Sequence, residues 1–224
     1  MKRFEWICGL LLTAVIPTSA QPAFQNLDFE SANIPPLGGR VPFADVFPGW
    51  TGYIRTTQAA YVDVNAIPLG EGISIVGPNS FFPTLEGDYS AILQVVYPAT
   101  ATFAQTGLIP ATAQSLQMKV WASTRDELGV TIGGQNIAMV PLQVTTAYTV
   151  YGGDIAAFAG EVEELRIGFG PIPTYSFGFM ELDSMEFSSM AIPEPRNLHL
   201  VTGAFFLAIL FAKRWRLKGQ HKSF

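Results

Sequence analysis

Ser115-Leu116-Gln117-Met118-Lys119-Val120-Trp121 alternates without a break. Leu116, Met118 and Val120 point one way, and Ser115, Gln117, Lys119 and Trp121 the other. Period two is the mark of a half-buried β-strand. Leu165, Ile167 and Phe169 repeat it against Glu164 and Arg166. Outward from these two segments, apolar runs parted by Gly, Pro and Asn recur at the spacing of an all-β sandwich. The pattern predicts strands over Asn26–Glu30, Asp45–Ile54, Ala59–Val64, Ile73–Val76, Tyr89–Val96, Thr102–Gly107, Ser115–Trp121, Leu128–Ile132, Asn136–Pro141, Tyr148–Tyr151, Glu163–Phe169 and Phe177–Phe187. Helical signals are scarce. Asn33 to Arg40 and Gly77 to Pro83 carry the Pro, Gly and Asn of loops.

The last strand changes phase. Met180 and Leu182 occupy even positions, Met185 and Phe187 odd ones. One buried face can take both pairs only if an extra residue is inserted near Asp183–Ser184, which predicts a β-bulge there.

Of the 224 residues, 49% are hydrophobic and 14% charged, a balance that supports a packed core and argues against disorder. The formal net charge of −5 hides a division: the body from Gln21 to Met190 holds 16 acids against 5 bases, and the ends hold the other 8 bases. An acidic body is a poor nucleic-acid binder, because phosphate contacts need clustered Lys and Arg. The single cysteine is Cys8, and the two histidines are His199 and His221, so the body contains neither residue type. Ser-His-Asp and Cys-His catalysis, Cys/His zinc sites and internal disulfides are therefore closed to it. Carboxylate chemistry and oxygen-ligated hard cations remain open.

The two ends read as addresses. Lys2 and Arg3 precede the apolar stretch Trp6 to Ile16, and Thr18-Ser19-Ala20 supplies the small residues before a cut. This is the three-part plan of a secretory signal peptide over residues 1–20, cleaved between Ala20 and Gln21. At the other end, residues 198–212 are apolar apart from His199 and Thr202, and the basic cluster Lys213-Arg214-Trp215-Arg216 follows. Fifteen helical residues cover only about 22 Å of the ~30 Å hydrocarbon core. The abrupt basic end nevertheless favours a transmembrane helix with its Lys and Arg in the cytoplasm, which leaves the acidic body outside.

Pro193-Glu194-Pro195, that short apolar span and the basic end, in this order, resemble the PEP-CTERM sorting signal of Gram-negative bacteria. The resemblance covers residues 192–224. It implies a membrane-held precursor, with exosortase, a membrane protease, as its processing partner and the cell surface or extracellular matrix as its destination.

A second resemblance spans the body, residues 21–190. Asn26-Leu27-Asp28-Phe29-Glu30, Pro48-Gly49-Trp50 and Leu182-Asp183-Ser184-Met185 are similar to the opening and closing of a galactose-binding-like jelly roll, the fold of many carbohydrate-binding modules. It implies an antiparallel jelly-roll β-sandwich. It also implies a structural calcium ion between first and last strands, held by the matching Glu30 and Asp183 with Asp28 nearby. The competing reading of those acids is a pair of solvated strand ends.

Trp50, Tyr53, Tyr61 and Trp121 are the aromatic candidates for stacking on sugar rings. Trp50 matches the family's packed tryptophan, whereas Trp121 shares a face with Gln117 and Lys119. For Trp121 two readings stand, a ligand-stacking residue or a packed aromatic. The acids Asp126, Glu127, Glu161, Glu163 and Glu164 read as solvated turns, and no spacing marks a pair across a cleft. The expectation is a non-enzymatic surface or matrix protein with a structural or adhesive role. The alternative is a carbohydrate-binding module recognising exopolysaccharide, and a carboxylate glycosidase is a distant third.

Overall fold

The computed structural model describes residues 22–35, 39–68, 70–123, 127–173 and 176–192. The signal segment with Ala20 and Gln21, the motif Pro193-Glu194-Pro195 and the span 198–212 lie outside the described residues. Among the described residues no helix is long and apolar enough to cross a membrane.

Fourteen strands are described: β1 Gly39–Pro42, β2 Thr51–Ile54, β3 Thr57–Gln58, β4 Tyr61–Val64, β5 Gly72–Val76, β6 Ser90–Val96, β7 Ala101–Leu108, β8 Ser115–Ala122, β9 Leu128–Ile132, β10 Gln135–Asn136, β11 Val140–Val144, β12 Thr149–Asp154, β13 Val162–Phe169 and β14 Phe177–Ser188. They form an eight-stranded sheet in the order β1-β4-β5-β6-β14-β8-β12-β11 and a six-stranded sheet in the order β10-β9-β13-β7-β2-β3. Pairing is antiparallel except between β4 and β5, which run parallel.

Alternation decides which side chains meet. Leu93, Leu116, Met118, Val120, Met180 and Leu182 from the larger sheet pack with Phe103, Val130, Ile132, Leu165, Ile167 and Phe169 from the smaller one in a single hydrophobic core. Two layers, each with one apolar face, bury both faces in this way. The inserted residue in the last strand is present. The β14–β8 register shifts between Asp183 and Glu186, and Ser184 takes a φ of 48°. Met180, Leu182 and Met185 are all buried as a result.

One expected strand is absent and another is shortened to β2. Asn26–Glu30 is a turn, with Asn26 and Phe29 at positive φ, and it lowers the Phe29 ring fully into the core. The first half of Asp45–Ile54 is instead the close of a single helical turn, Phe43–Val46, which buries Phe43 and Val46. Phe29, Phe43, Phe47, Trp50 and Phe103 form an aromatic cluster with ring centroids 4.9 to 6.1 Å apart. Trp50 is core, and its indole N–H donates to the Asn26 carbonyl at 2.9 Å.

Candidate functional site

Residues directly opposite across a ladder share a face. On the outer face of the larger sheet the register sets Ser74, Ile92, Glu181 and Trp121 in one row, and Asp183, Lys119 and Val150 in another. An outer face normally meets water, yet Ser74, Ser90, Ile92, Gln94, Glu181 and Asp183 are all buried. The connection between β5 and β6 accounts for part of this: the Leu85 amide donates to Ser90 Oγ and the Glu86 amide to Asp183 Oδ2. Further along the sheet, Gln94 Nε2 donates to the carbonyls of Pro68 and Gly70. Backbone from two loops therefore lies over these positions of β6 and β14.

Where that cover ends, a groove of about 470 Å³ opens. Phe82, Pro83, Thr84 and Leu85 form one wall, Thr146 and Ala147 of the β11–β12 turn the other, and Trp121, Phe179 and Glu181 the floor. Trp121 is 38% exposed and lies against Phe179, ring centroids 5.1 Å apart. It is thus neither a free platform nor a core residue. Glu181 is 6% exposed, and its Oε1 has no hydrogen-bond partner. Burial is the main cause that pushes its carboxyl up to about 7, and the neighbouring Asp183 charge adds to the rise.

Glu30 and Asp183 converge on the same loop. Glu30 Oε1 accepts the amides of Asp88 at 3.0 Å and Tyr89 at 3.1 Å. Asp183, 1% exposed, accepts Ser90 Oγ at 2.8 Å and the Glu86 amide at 3.1 Å on Oδ2, and the Ser184 amide at 2.6 Å on Oδ1. Burial raises its carboxyl to about 6 against these hydrogen bonds, and the Glu30 charge raises it further. Asp183 is therefore not a solvated acid, whereas Glu30 is exposed and lies in a turn rather than at a strand end. A cation would relieve the repulsion between the two carboxylates, but the groups that contact them are amide and hydroxyl donors, not carbonyl oxygens. Among the described residues no group of three or more acids, histidines or cysteines forms a ready cluster. Asp28 instead caps its own turn, accepting the Glu30 amide at 3.3 Å.

The remaining candidates lie elsewhere. Arg166 stacks on Tyr53 and Arg40 on Tyr61. Glu164 pairs with Arg166 on β13, in the other sheet. Glu161 precedes that strand and Glu163 is its second residue, Glu127 precedes β9, and Asp126 lies outside the described residues. Phe179 and Glu181 were open to a sequence reading, since Phe177, Phe179, Glu181 and Asp183 form the odd phase opposite Met180 and Leu182. The loop wall Phe82–Leu85 has no periodicity and gave no such signal.

Comparison with protein-family models gives no match, and comparison with curated proteins gives none. Among solved structures, the enzymatically active domain of tailspike protein 4 of bacteriophage CBA120 aligns at 18% identity with a TM-score of 0.36. The alignment covers 62% of this chain and 19% of the tailspike chain, so this chain spans about a fifth of that protein's length.

Proposed function

We propose that this chain is an exported bacterial surface or matrix protein whose body, a jelly-roll β-sandwich, acts adhesively by holding a saccharide chain in the Trp121–Phe179 groove. The observation that carries the reading is the groove itself: a half-exposed indole backed by a second ring, beside a buried polar acceptor, in a cleft of ligand size. A ring face takes the apolar side of a sugar, and the carboxyl takes a hydroxyl. Binding without turnover fits the acids. Glu181 lines the groove, whereas Asp183 is tied into hydrogen bonds beneath the loop, so no second carboxyl flanks the cleft among the described residues. The ends extend the proposal: a signal peptide cut after Ala20, and exosortase processing at Pro193-Glu194-Pro195 after transient anchoring by the span 198–212.

The test is affinity electrophoresis of the full-length chain, in mild detergent, through gels holding soluble polysaccharides. Retardation is expected with at least one polysaccharide and is lost in Trp121→Ala. Stability should fall in that variant by only about 1–2 kcal/mol, below the 3–5 kcal/mol of a fully packed aromatic. A loss of 3–5 kcal/mol, with retardation intact, would make Trp121 purely structural.

A further inference from the structure

We infer that the groove reads a positively charged amine on its saccharide, with the Glu181 carboxylate as the recognising group. The inference rests on the saccharide reading above and narrows it to amino sugars carrying a free ammonium. Glu181 is more than nine-tenths buried, lines the groove, and leaves Oε1 without a hydrogen-bond partner. The Ser90 hydroxyl beside it lowers the Glu181 carboxyl somewhat, but its one proton is directed to Asp183 at 2.8 Å. A buried acceptor of this kind costs free energy until a donor arrives, and a cationic donor offsets most.

The surroundings favour a cation over other donors. Among the described residues no Lys or Arg lines the groove. Lys119, one row along the sheet, is in register with Asp183, pairs with Glu86 and stands 5.3 Å from the Tyr148 ring. It is already engaged, so among the described residues Glu181 has no cationic partner. Trp121, Phe179 and Phe82 supply ring faces, whose quadrupoles attract an ammonium. A uronic acid would meet like charge at short range in a poorly hydrated cleft.

Titration of the full-length chain with four tetramers at pH 7.0, followed by tryptophan fluorescence and calorimetry, separates the outcomes. The probes are β-1,4-linked glucosamine, its N-acetylated counterpart, a neutral glucose tetramer and a galacturonate tetramer. The glucosamine tetramer is expected to bind at least tenfold tighter than the acetylated and neutral ones, and galacturonate weakest. Glu181→Gln, which keeps the shape and one acceptor oxygen, should bring glucosamine to within threefold of the neutral tetramers. Thr146→Lys, which sets a cation on the groove wall without touching the buried carboxyl, should weaken glucosamine selectively. Equal binding of amino and neutral tetramers, or a preference that survives Glu181→Gln, overturns the amine reading and leaves saccharide binding intact. Binding of none of the four, with no polysaccharide retarding the chain either, overturns both.

Discussion

Glu181 and Asp183 sit two residues apart on one face of β14, and both titrate above their ordinary range, near 7 and near 6. Each binds its proton more tightly in the folded chain than in the unfolded one, where values of 4.5 and 3.8 apply. Their protonation therefore favours folding fully below about pH 4, and that stabilisation is lost as pH rises through 6 and 7. Urea unfolding across pH 4 to 8 should show stability falling over this window. Glu181→Gln should flatten the fall and gain, at pH 8, at most about 3 kcal/mol. A wild-type curve that rises toward pH 8 would contradict the burial of these acids. The same pair shows what sequence can yield. The phase change from Met180 and Leu182 to Met185 locates the bulge because two buried pairs leave no other solution. That these two acids are buried could not be read, since outward-facing acids in a strand usually meet water, and only the fold places the Glu86 amide on Asp183.

The connection between β5 and β6 is held as firmly as a strand. Gly87 has a φ of 58°, and a Cβ built there falls 2.2 Å from Glu30 Oε1, the oxygen that accepts the Asp88 and Tyr89 amides. Gly87→Ala should thus strain the backbone and displace Glu30 together, costing about 1–3 kcal/mol in denaturant melts. A cost below a few tenths of a kcal/mol would mean that the loop reseats freely. Calcium held by Glu30 and Asp183 would staple the same loop. Binding to the folded state alone then requires a higher melting temperature in millimolar calcium than in chelator, with a gain of about 2.7 kcal/mol at a hundredfold excess over Kd. Superimposable melts would remove the ion from the account. At this level Asn26–Glu30 misleads: Asn-Leu-Asp-Phe-Glu alternates like a strand, yet positive φ at Asn26 and Phe29 makes it a turn. Apolar alternation over five residues does not report backbone sign. The Phe43–Val46 helix is likewise a single turn, too short for a 3.6-residue period to register.

The proposed route through the membrane makes one further demand, on residues beyond the described body. Glu194→Ala should leave a membrane-held precursor in a host with the sorting protease, and mass spectrometry of the C-terminus checks it. A C-terminus identical to wild type would end the exosortase proposal. The sheet order bears on how such a chain reaches its destination. β14 joins β6 on one side and β8 on the other, so it alone links the β1-β4-β5-β6 half of the larger sheet to the β8-β12-β11 half. It is also the last strand of the body to leave the ribosome. Pairings such as Leu182 with Ala91 join residues 91 apart in sequence and close slowly, because a long loop must be ordered before any contact rewards it. Until residue 188 is free, the two half-sheets have no common seam and the core has no lid. A nascent chain of this design stays open for as long as its end is withheld, the condition in which a polypeptide can be threaded through a narrow pore and fold on the far side.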